Sequence, residues 1–457
     1  MNILYEGIVM NEYKDKSILI LGLARSGLAA VKLLLRLGAK ITVTESKPLD
    51  QIGELPWLRE NGVEVCGQEP EVFERDYDEV IKNPGINGNL WFVKRLRERG
   101  IPVTTEIELA FKVCAPQHFI AITGTNGKTT TTTLLYEVLN RAFPGRAHLS
   151  GNIGIALCET VLEQNLMNDP GHYIVLEISN FQLLDIVTFR PEIAVIINLA
   201  ADHLDFMGTE DAYYRSKARV YENMRDNDVF LKNIDDPLVR QYTELLPVRC
   251  KEVTYSLTDK AADFYADEET LYHRGQPLFP LSVLKIVGRH NVQNVLVAVA
   301  AATALGESAE DIREAVGAFK GVEHRLEFVR EVNGVKYYND SKGTNVDATV
   351  TALKSFACPV ILLAGGHEKG LDLSPIKPLL GGVRQVIGYG ECGPRIIKDL
   401  TGGAGVLTDD LPHALEEAVK LAQPGDVVLL SPTTSSYDQY SCFEERGEHF
   451  KSLVNAM

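Results

Sequence analysis

The sequence has no Cys-x-x-Cys pair, no excess of positive charge, no internal repeat, no low-complexity stretch and no apolar run near the ~18 residues of a membrane span. Each absence excludes something. The seven cysteines (Cys66, Cys114, Cys158, Cys250, Cys358, Cys392 and Cys442) are scattered and odd in number. That argues against a disulfide framework or a zinc site and for free thiols in a reducing cytoplasm. Lys and Arg total 46 against 62 Asp and Glu, for a formal net charge of −16. An acidic surface repels nucleic acid and anionic lipid, so neither is expected as a partner. Any anionic substrate must be drawn in by local positive charge or by metal ions. The N-terminal MNILYEGIVMNEYKDKS carries acidic residues and no small-residue cleavage site, so it does not read as a signal peptide.

What is present is an ordinary globular composition, 45% hydrophobic and 24% charged. The 457 residues suffice for roughly three domains of about 150 each. Apolar runs such as SILILGL, KITVTE, FIAITG, YIVLEIS, EIAVIINL, PVILLAGG and DVVLLSP alternate with helical spacing, as in Gly27–Leu37 and Asn291–Leu305. Continuous apolar strands between helices predict an α/β fold with parallel sheets covered on both faces. Joints are expected near Glu106–Pro116 and near Gly321, giving domains 1–106, 107–321 and 322–457.

The most informative stretch is FIAITGTNGKTTTTTLL, Phe119–Leu135. It resembles a Walker A loop, but Ile122 stands where that loop has its first glycine. The turn is shorter: Gly124, Thr125, Asn126, Gly127, Lys128, Thr129. A strand ending at Thr123 and a helix starting near Thr129 would aim backbone N–H groups at an anion. Lys128 would reach β- and γ-phosphates and the Thr129 hydroxyl a Mg²⁺ ion. The threonine run that follows is odd helix material, explained by this reading only at its first residue.

Other candidates are weaker taken singly. Glu177 ends the strand YIVLEIS, on the side where doubly wound sheets bind ligands. It is a metal ligand or a solvated strand-end glutamate. In NLAADHLDFMG a strand is expected to end at Asn198, with Asp202 and His203 on the following loop. Lys217 lies on an expected helix, and spacing alone makes it a surface lysine. ILGLARSG places Gly22 and Gly27 as in a dinucleotide fingerprint, with Ala24 for the middle glycine, which weakens a dinucleotide reading and leaves another nucleotide or a structural turn. Glu45 ends the second strand, where a ribose-binding acid would sit. HRLEFV begins a hairpin-like stretch leading to YYNDSKGTN. Arg325 there could clamp a phosphate, and Asp340, Ser341 and Thr344 suit either a helix cap or a site. LSPTTSSYDQYSCFEERG, Leu430–Gly447, is either a ligand loop or a linker.

Taken in order, TGTNGKT, SGNIG, LEISNFQL, DHLD, GRHN, HRLE, NDSKGTN and SPTTSSYDQ resemble the Mur ligase family over essentially the whole chain. The resemblance implies a Rossmann-like first domain binding a UDP moiety, a central P-loop ATPase domain, and a Rossmann-like third domain bringing an amino acid. It implies an ATP-dependent ligase of peptidoglycan-precursor synthesis, and hence of cell-wall biogenesis, cell shape and division. The pattern is nearest to members that add D-glutamate to UDP-N-acetylmuramoyl-L-alanine through an acyl phosphate. The cofactors implied are ATP and two Mg²⁺ ions, and a monomer in the cytoplasm is expected.

By the same resemblance, Gly124, Thr125, Asn126, Gly127, Lys128, Thr129 and Thr130 bind ATP together with Asn291, Arg325 and Asp340. Thr129, Glu177, His203 and a carbamylated Lys217 serve the metals, with Lys128, His203 and Lys217 catalytic. Ser26, Glu45, Ser46, Asn83, Asn152 and His203 hold the UDP substrate. Lys342, Thr344, Lys369, Ser436 and Phe443 form the D-glutamate pocket. Three departures stand out: Ala24 where glycine is common, SSYDQY for a CASWD-like run, and GGHEKG with Lys369 in place of arginine.

Overall fold

The computed structural model describes residues 12–202 and 204–457, which form three sheets. The first holds β1 (Ser17–Leu21), β2 (Lys40–Thr44), β3 (Glu64–Cys66), β4 (Glu79–Lys82) and β5 (Val103–Thr104), in the order β3-β2-β1-β4-β5 and parallel throughout. β1 therefore lies between β2 and β4. The order reverses there, and the carboxyl ends of β1 and β4 flank the crevice where such sheets take ligands.

The second sheet has nine strands: β6 (His118–Thr123), β7 (Ala147–Gly151), β8 (Tyr173–Glu177), β9 (Ile193–Ile196), β10 (Val229–Asn233), β11 (Lys251–Ser256), β12 (Phe264–Ala266), β13 (Thr270–His273) and β14 (Gln276–Pro280). Their order is β14-β13-β12-β11-β10-β9-β6-β8-β7. β6 sits between β9 and β8, so the loop after β6 opens at the reversal. Only β12-β13-β14 run antiparallel, extending the far edge.

The third sheet comprises β15 (Glu327–Val332), β16 (Val335–Asn339), β17 (Val360–Gly365), β18 (Val383–Tyr389), β19 (Val406–Leu407) and β20 (Val427–Thr433), in the order β15-β16-β20-β17-β18-β19. It is parallel except for the β15–β16 hairpin foreseen at HRLEFV.

The apolar runs behave as two-sided parallel strands should. β4, β17 and β20 are buried at every position. Helices cover both faces; α1 (Arg25–Arg36) buries Ala29, Ala30, Val31, Leu33 and Leu34 against the first sheet. Two expectations need correction. β9 stops at Ile196, two residues before Asn198, because Asn198 turns its side chain to the preceding loop. The helix Val346–Lys354 is capped by Asn345, whose side chain accepts from Ala348 N–H at 2.8 Å. Asp340, Ser341 and Thr344 are not its caps.

The chain divides into two compact units, 1–280 with 294–315, and 281–293 with 316–457. Within the first unit a buried ion pair joins the first two sheets. Lys82 Nζ lies 3.2 Å from Asp185 Oδ2 with both side chains almost wholly buried, and Arg97 also bonds Asp185. Burial lowers the Lys82 pKa against the pull of Asp185. Asp185→Ala should leave Lys82 charged and unpaired, costing about 3–5 kcal/mol in urea unfolding, while Lys82→Met with Asp185→Leu should recover most of it.

Candidate functional site

The site begins where β6 ends. Gly127 has φ +85° and opens α2 (Lys128–Ala142). A Cβ there would stand 2.4 Å from Asn294 Oδ1, so the position demands glycine on both conformational and steric grounds. Gly124 packs so closely on the next strand that its Cβ would lie 3.2 Å from Ile197. Asn198 clamps the turn from below: its Oδ1 accepts from Asn126 N–H at 2.8 Å and its Nδ2 donates to Asn126 O at 3.1 Å. Thr125 N–H donates to Asn198 O, and Thr125 Oγ1 accepts from Ala200 N–H at 3.0 Å. A rigid turn and a helix N-terminus thus meet in one concavity, which suits an anion.

The threonine run also finds an explanation. Thr131 Oγ1 donates to Asn294 Oδ1 at 3.2 Å, and Thr132 Oγ1 returns to Lys128 O at 2.8 Å. Thr130, Thr131 and Thr132 are buried, and Thr131 ties the start of α2 to Asn294, whereas Thr129 stays half-exposed at the turn.

Two lysines converge on this loop. Lys128 Nζ donates to Gly124 O at 2.9 Å and Thr125 O at 2.8 Å. Lys217, from the helix α3 (Glu210–Ala218), donates to the same Gly124 O at 2.9 Å and lies 4.7 Å from the centre of the Tyr213 ring. Lys217 is 1% exposed, which overturns the surface reading. Burial, then the charge of Lys128, drives its pKa well below the ordinary value, against Asp202 and Glu177.

Glu177 is 2% exposed, not a solvated strand end. Its Oε1 accepts from Asn152 Nδ2 at 2.7 Å, and Asn152 N–H donates to Glu177 O. Its Oε2 is buried and has no hydrogen-bond partner among the described residues. A buried, bare carboxylate oxygen beside a phosphate-type loop is a fitting Mg²⁺ donor. His203 lies outside the described residues.

At the reversal of the first sheet, Ser26, Glu45, Ser46 and Asn83 come together around a cavity of about 480 Å³ or its neighbour of about 240 Å³. Gly22, φ +84°, turns the chain, and Gly27 must be glycine because a Cβ would overlap Gly22 O at 2.0 Å. Asn83 Nδ2 donates to Ser26 Oγ at 3.1 Å. Glu45 Oε2 accepts from Leu23 N–H at 2.8 Å, and its Oε1 accepts from Ser46. Burial would raise the Glu45 pKa, but these hydrogen bonds hold it below its ordinary value. The two cavities share Ala24, Asn83 and Gly85, and the smaller one reaches Asn152.

The second unit gathers the remaining candidates around the ends of β16 and β20. Asp340 is 1% exposed; its Oδ2 accepts from Ser431 Oγ at 2.9 Å, its Oδ1 accepts from Leu326 N–H at 3.2 Å, and Arg325 stands 3.8 Å away. Burial raises its pKa to about 6, opposed by Arg325 and Ser431. Asn291 is buried and donates to Val287 O at 2.6 Å. Lys342 Nζ lies 5.7 Å from the centre of the Phe443 ring, Thr344 follows on the same turn, and Ser436 is buried in the loop after β20. Lys369 is exposed on the loop after β17, its pKa lowered by burial and by Arg446.

Arg446 went unnoticed in the sequence. It is fully buried and donates to Ser341 Oγ at 3.0 Å, Ser341 O at 2.9 Å and Thr434 O at 3.2 Å, bracing both ligand-type loops. Asn198 and Asn294 were likewise missed. Each is one amide among many, and only the fold brings it to the phosphate loop.

Two family models match the chain. The Mur ligase middle domain covers residues 122–302, and the Mur ligase, glutamate ligase domain covers residues 324–434. The UDP-N-acetylmuramoylalanine–D-glutamate ligase of Geobacillus kaustophilus is 42% identical over 453 residues, 97% of this chain and 98% of its own. That of Streptococcus agalactiae is 40% identical over 444 residues, 96% of both chains. Among solved structures, the UDP-N-acetylmuramate–alanine ligase MurC of Thermotoga maritima aligns with TM-score 0.58 at 18% identity, over 96% of this chain and 99% of that one. MurF of Acinetobacter baumannii aligns with TM-score 0.59 at 17% identity, over 98% and 92%. At such identities these two likenesses bear on the fold alone.

The loop geometry gives one test. Gly127→Ala would force a left-handed alanine against Asn294, and should weaken MgATP binding by about tenfold or more. Displacement of a fluorescent ATP analogue reads this directly, with circular dichroism expected to be unchanged.

Proposed function

The chain belongs to the Mur ligase family, and from that premise we propose that it joins the amine of D-glutamate to the carboxyl of UDP-N-acetylmuramoyl-L-alanine while ATP is cleaved to ADP and phosphate. The observation that carries this reading is the juxtaposition of an anion-binding turn at Gly124–Lys128 with the buried, half-unpartnered carboxylate of Glu177, beside cavities that lead back to Glu45 and Ser46.

A carboxylate does not acylate an amine at neutral pH, because oxide is not a leaving group and the anion repels nucleophiles. Phosphorylation by ATP makes an acyl phosphate. The amine of D-glutamate then attacks, and phosphate departs from a tetrahedral intermediate to leave the amide. Phosphoryl transfer asks the protein mainly for positioning and charge neutralisation. Gly124, Thr125, Asn126, Gly127 and Thr130 cradle the phosphates, Lys128 carries positive charge to them, and Asn291, Arg325 and Asp340 hold the nucleotide. Ser26, Glu45, Ser46 and Asn83 seat the UDP group, with Asn152 and His203 nearer the muramoyl end. Lys342, Thr344, Lys369, Ser436 and Phe443 hold D-glutamate.

Thr129, Glu177, His203 and Lys217 are the residues that would hold two Mg²⁺ ions, which when bound offset phosphate charge. Lys217 would do so as a carbamate. Carbamylation needs a neutral amine, and the burial of Lys217 favours that form. The attacking amine must lose its proton, and His203 is a candidate base. We assign residues 1–106 to the UDP substrate, 107–321 to ATP and 322–457 to the amino acid. Among the described residues no helix is long and apolar enough to cross a membrane. We place the enzyme in the cytoplasm as a monomer.

With ATP, Mg²⁺ and the full chain, ADP release should require both UDP-N-acetylmuramoyl-L-alanine and D-glutamate across an amino-acid panel. Preference for L-alanine with UDP-N-acetylmuramate would move the chain to the alanine-adding branch, and ATP cleavage without an amine acceptor would make it a kinase. Lys217→Ala should nearly abolish ADP release, with partial recovery in short-chain carboxylates. Full activity of this variant would refute the carbamate.

A further inference from the structure

Glu106 opens the helix Glu106–Val113 just beyond β5. It is 1% exposed, yet it lines the cavity of about 240 Å³ together with Arg25, Ser26, Asn83 and Asn152. Its two carboxyl oxygens are treated differently. Oε2 accepts from Cys158 N–H at 3.1 Å, while Oε1 is buried with no hydrogen-bond partner among the described residues. The Cys158 thiol donates to the Glu106 backbone carbonyl at 3.2 Å.

The titratable groups facing this carboxyl are Cys158, on the helix Leu157–Glu163, and Arg25, at the start of α1. Burial and the neighbouring Glu106 hold the Cys158 thiol well above its ordinary pKa, so it stays neutral. The Arg25 guanidinium is engaged by the carbonyls of Gly154 at 2.9 Å, Gly151 at 3.2 Å and Asn152 at 3.3 Å. A carboxylate in this place would keep one oxygen desolvated and unpaired, an expensive arrangement. Burial accordingly raises the Glu106 pKa to about 7, against the hydrogen bonds from Cys158 and Leu157 and the charge of Arg25. A neutral carboxyl with Oε2 already accepting carries its proton on Oε1. It is then a donor in want of an acceptor.

The cavity supplies the chemistry of that acceptor. It joins the larger cavity at Ala24, Asn83 and Gly85 and runs to Asn152, which bonds Glu177. On the reading given above, the UDP group lies by Glu45, Ser46, Ser26 and Asn83 and the muramoyl end by Asn152, which bonds Glu177. The portion crossing between them is the diphosphate and the amino sugar, which are rich in acceptor oxygens. We propose that Glu106 binds the nucleotide substrate as a neutral acid, donating from Oε1 to an oxygen of this diphosphate–sugar portion, directly or through one water.

This inference rests on the proposed substrate, and its test separates the two. UDP-N-acetylmuramoyl-L-alanine is titrated calorimetrically into the full chain without ATP, from pH 6 to 8.5. The wild-type dissociation constant should be flat below about pH 7 and weaken by about tenfold or more at pH 8.5, as the proton is lost. Glu106→Gln keeps a donor, so it should bind within about threefold of the low-pH wild type and show no pH dependence. Glu106→Ala should be weaker by about tenfold at every pH. A pH-independent wild type, or a Glu106→Gln variant that keeps the wild-type pH dependence, would overturn the role of Glu106. A wild type that binds the nucleotide at no pH would overturn the proposed substrate instead.

Discussion

Everything at this site depends on how tightly the chain turns between Thr123 and Lys128. The turn is shorter than the usual phosphate loop, so its backbone must press against its neighbours. Gly124 lies tightly against Ile197, and Gly127 lies so close to Asn294 that a Cβ has no room. The compact turn is then held from both sides by amides, Asn198 on one flank and Asn294 on the other. A longer loop could shape itself around a ligand. This one is preorganised: the Thr125 and Asn126 N–H groups are spent on Asn198, which fixes the turn so that the N-terminus of α2 meets an anion with little reorganisation.

The same logic recurs across the three sheets. Each collects polar loops at the carboxyl ends of its strands and buries a carboxyl there: Glu45 in part, Glu177 and Asp340 almost wholly. Their surroundings differ in a telling way. Glu45 is wrapped in backbone N–H donors and is kept ionised. Asp340 has Arg325 and Ser431, which only partly offset its burial. Glu177 keeps one oxygen bare. Glu45, fully satisfied, suits a fixed polar contact, whereas the bare oxygen of Glu177, beside the phosphate loop and the two lysines, suits a cationic ligand.

Much of this was legible in the sequence, for physical reasons. Strands buried on both faces are apolar throughout, so β1, β6, β8, β17 and β20 announce themselves, and glycine-bearing turns mark where they end. The phosphate loop is legible because its function is local: the residues that make the turn are consecutive. Lys217 and Glu177 were ambiguous because burial is a tertiary property. Nothing in YYRSKARVY says that the lysine faces inward, and only packing of its helix against the loop after β6 does so. Asn198, Asn294, Glu106 and Arg446 were silent for the same reason. Each acts on residues more than ten positions away, through a hydrogen bond that no periodicity encodes. The antiparallel edge β12-β13-β14 was missed because its strands are short and partly polar.

Lys128 and Lys217 converge on Gly124 O. Two ammonium groups within hydrogen-bond reach of one carbonyl oxygen lie close enough to repel strongly in a low-dielectric interior. Lys128 stands on a half-exposed turn where solvent can carry its charge; Lys217 is sealed beneath it. The burden of neutrality therefore falls on Lys217, and burial and Lys128 push in that same direction. A neutral buried amine is at once a weak base and a nucleophile. As the carbamate proposed above, Lys217 would set an anion opposite Lys128, an attractive pairing, and a second anion beside Glu177, whose mutual repulsion a bound cation would offset.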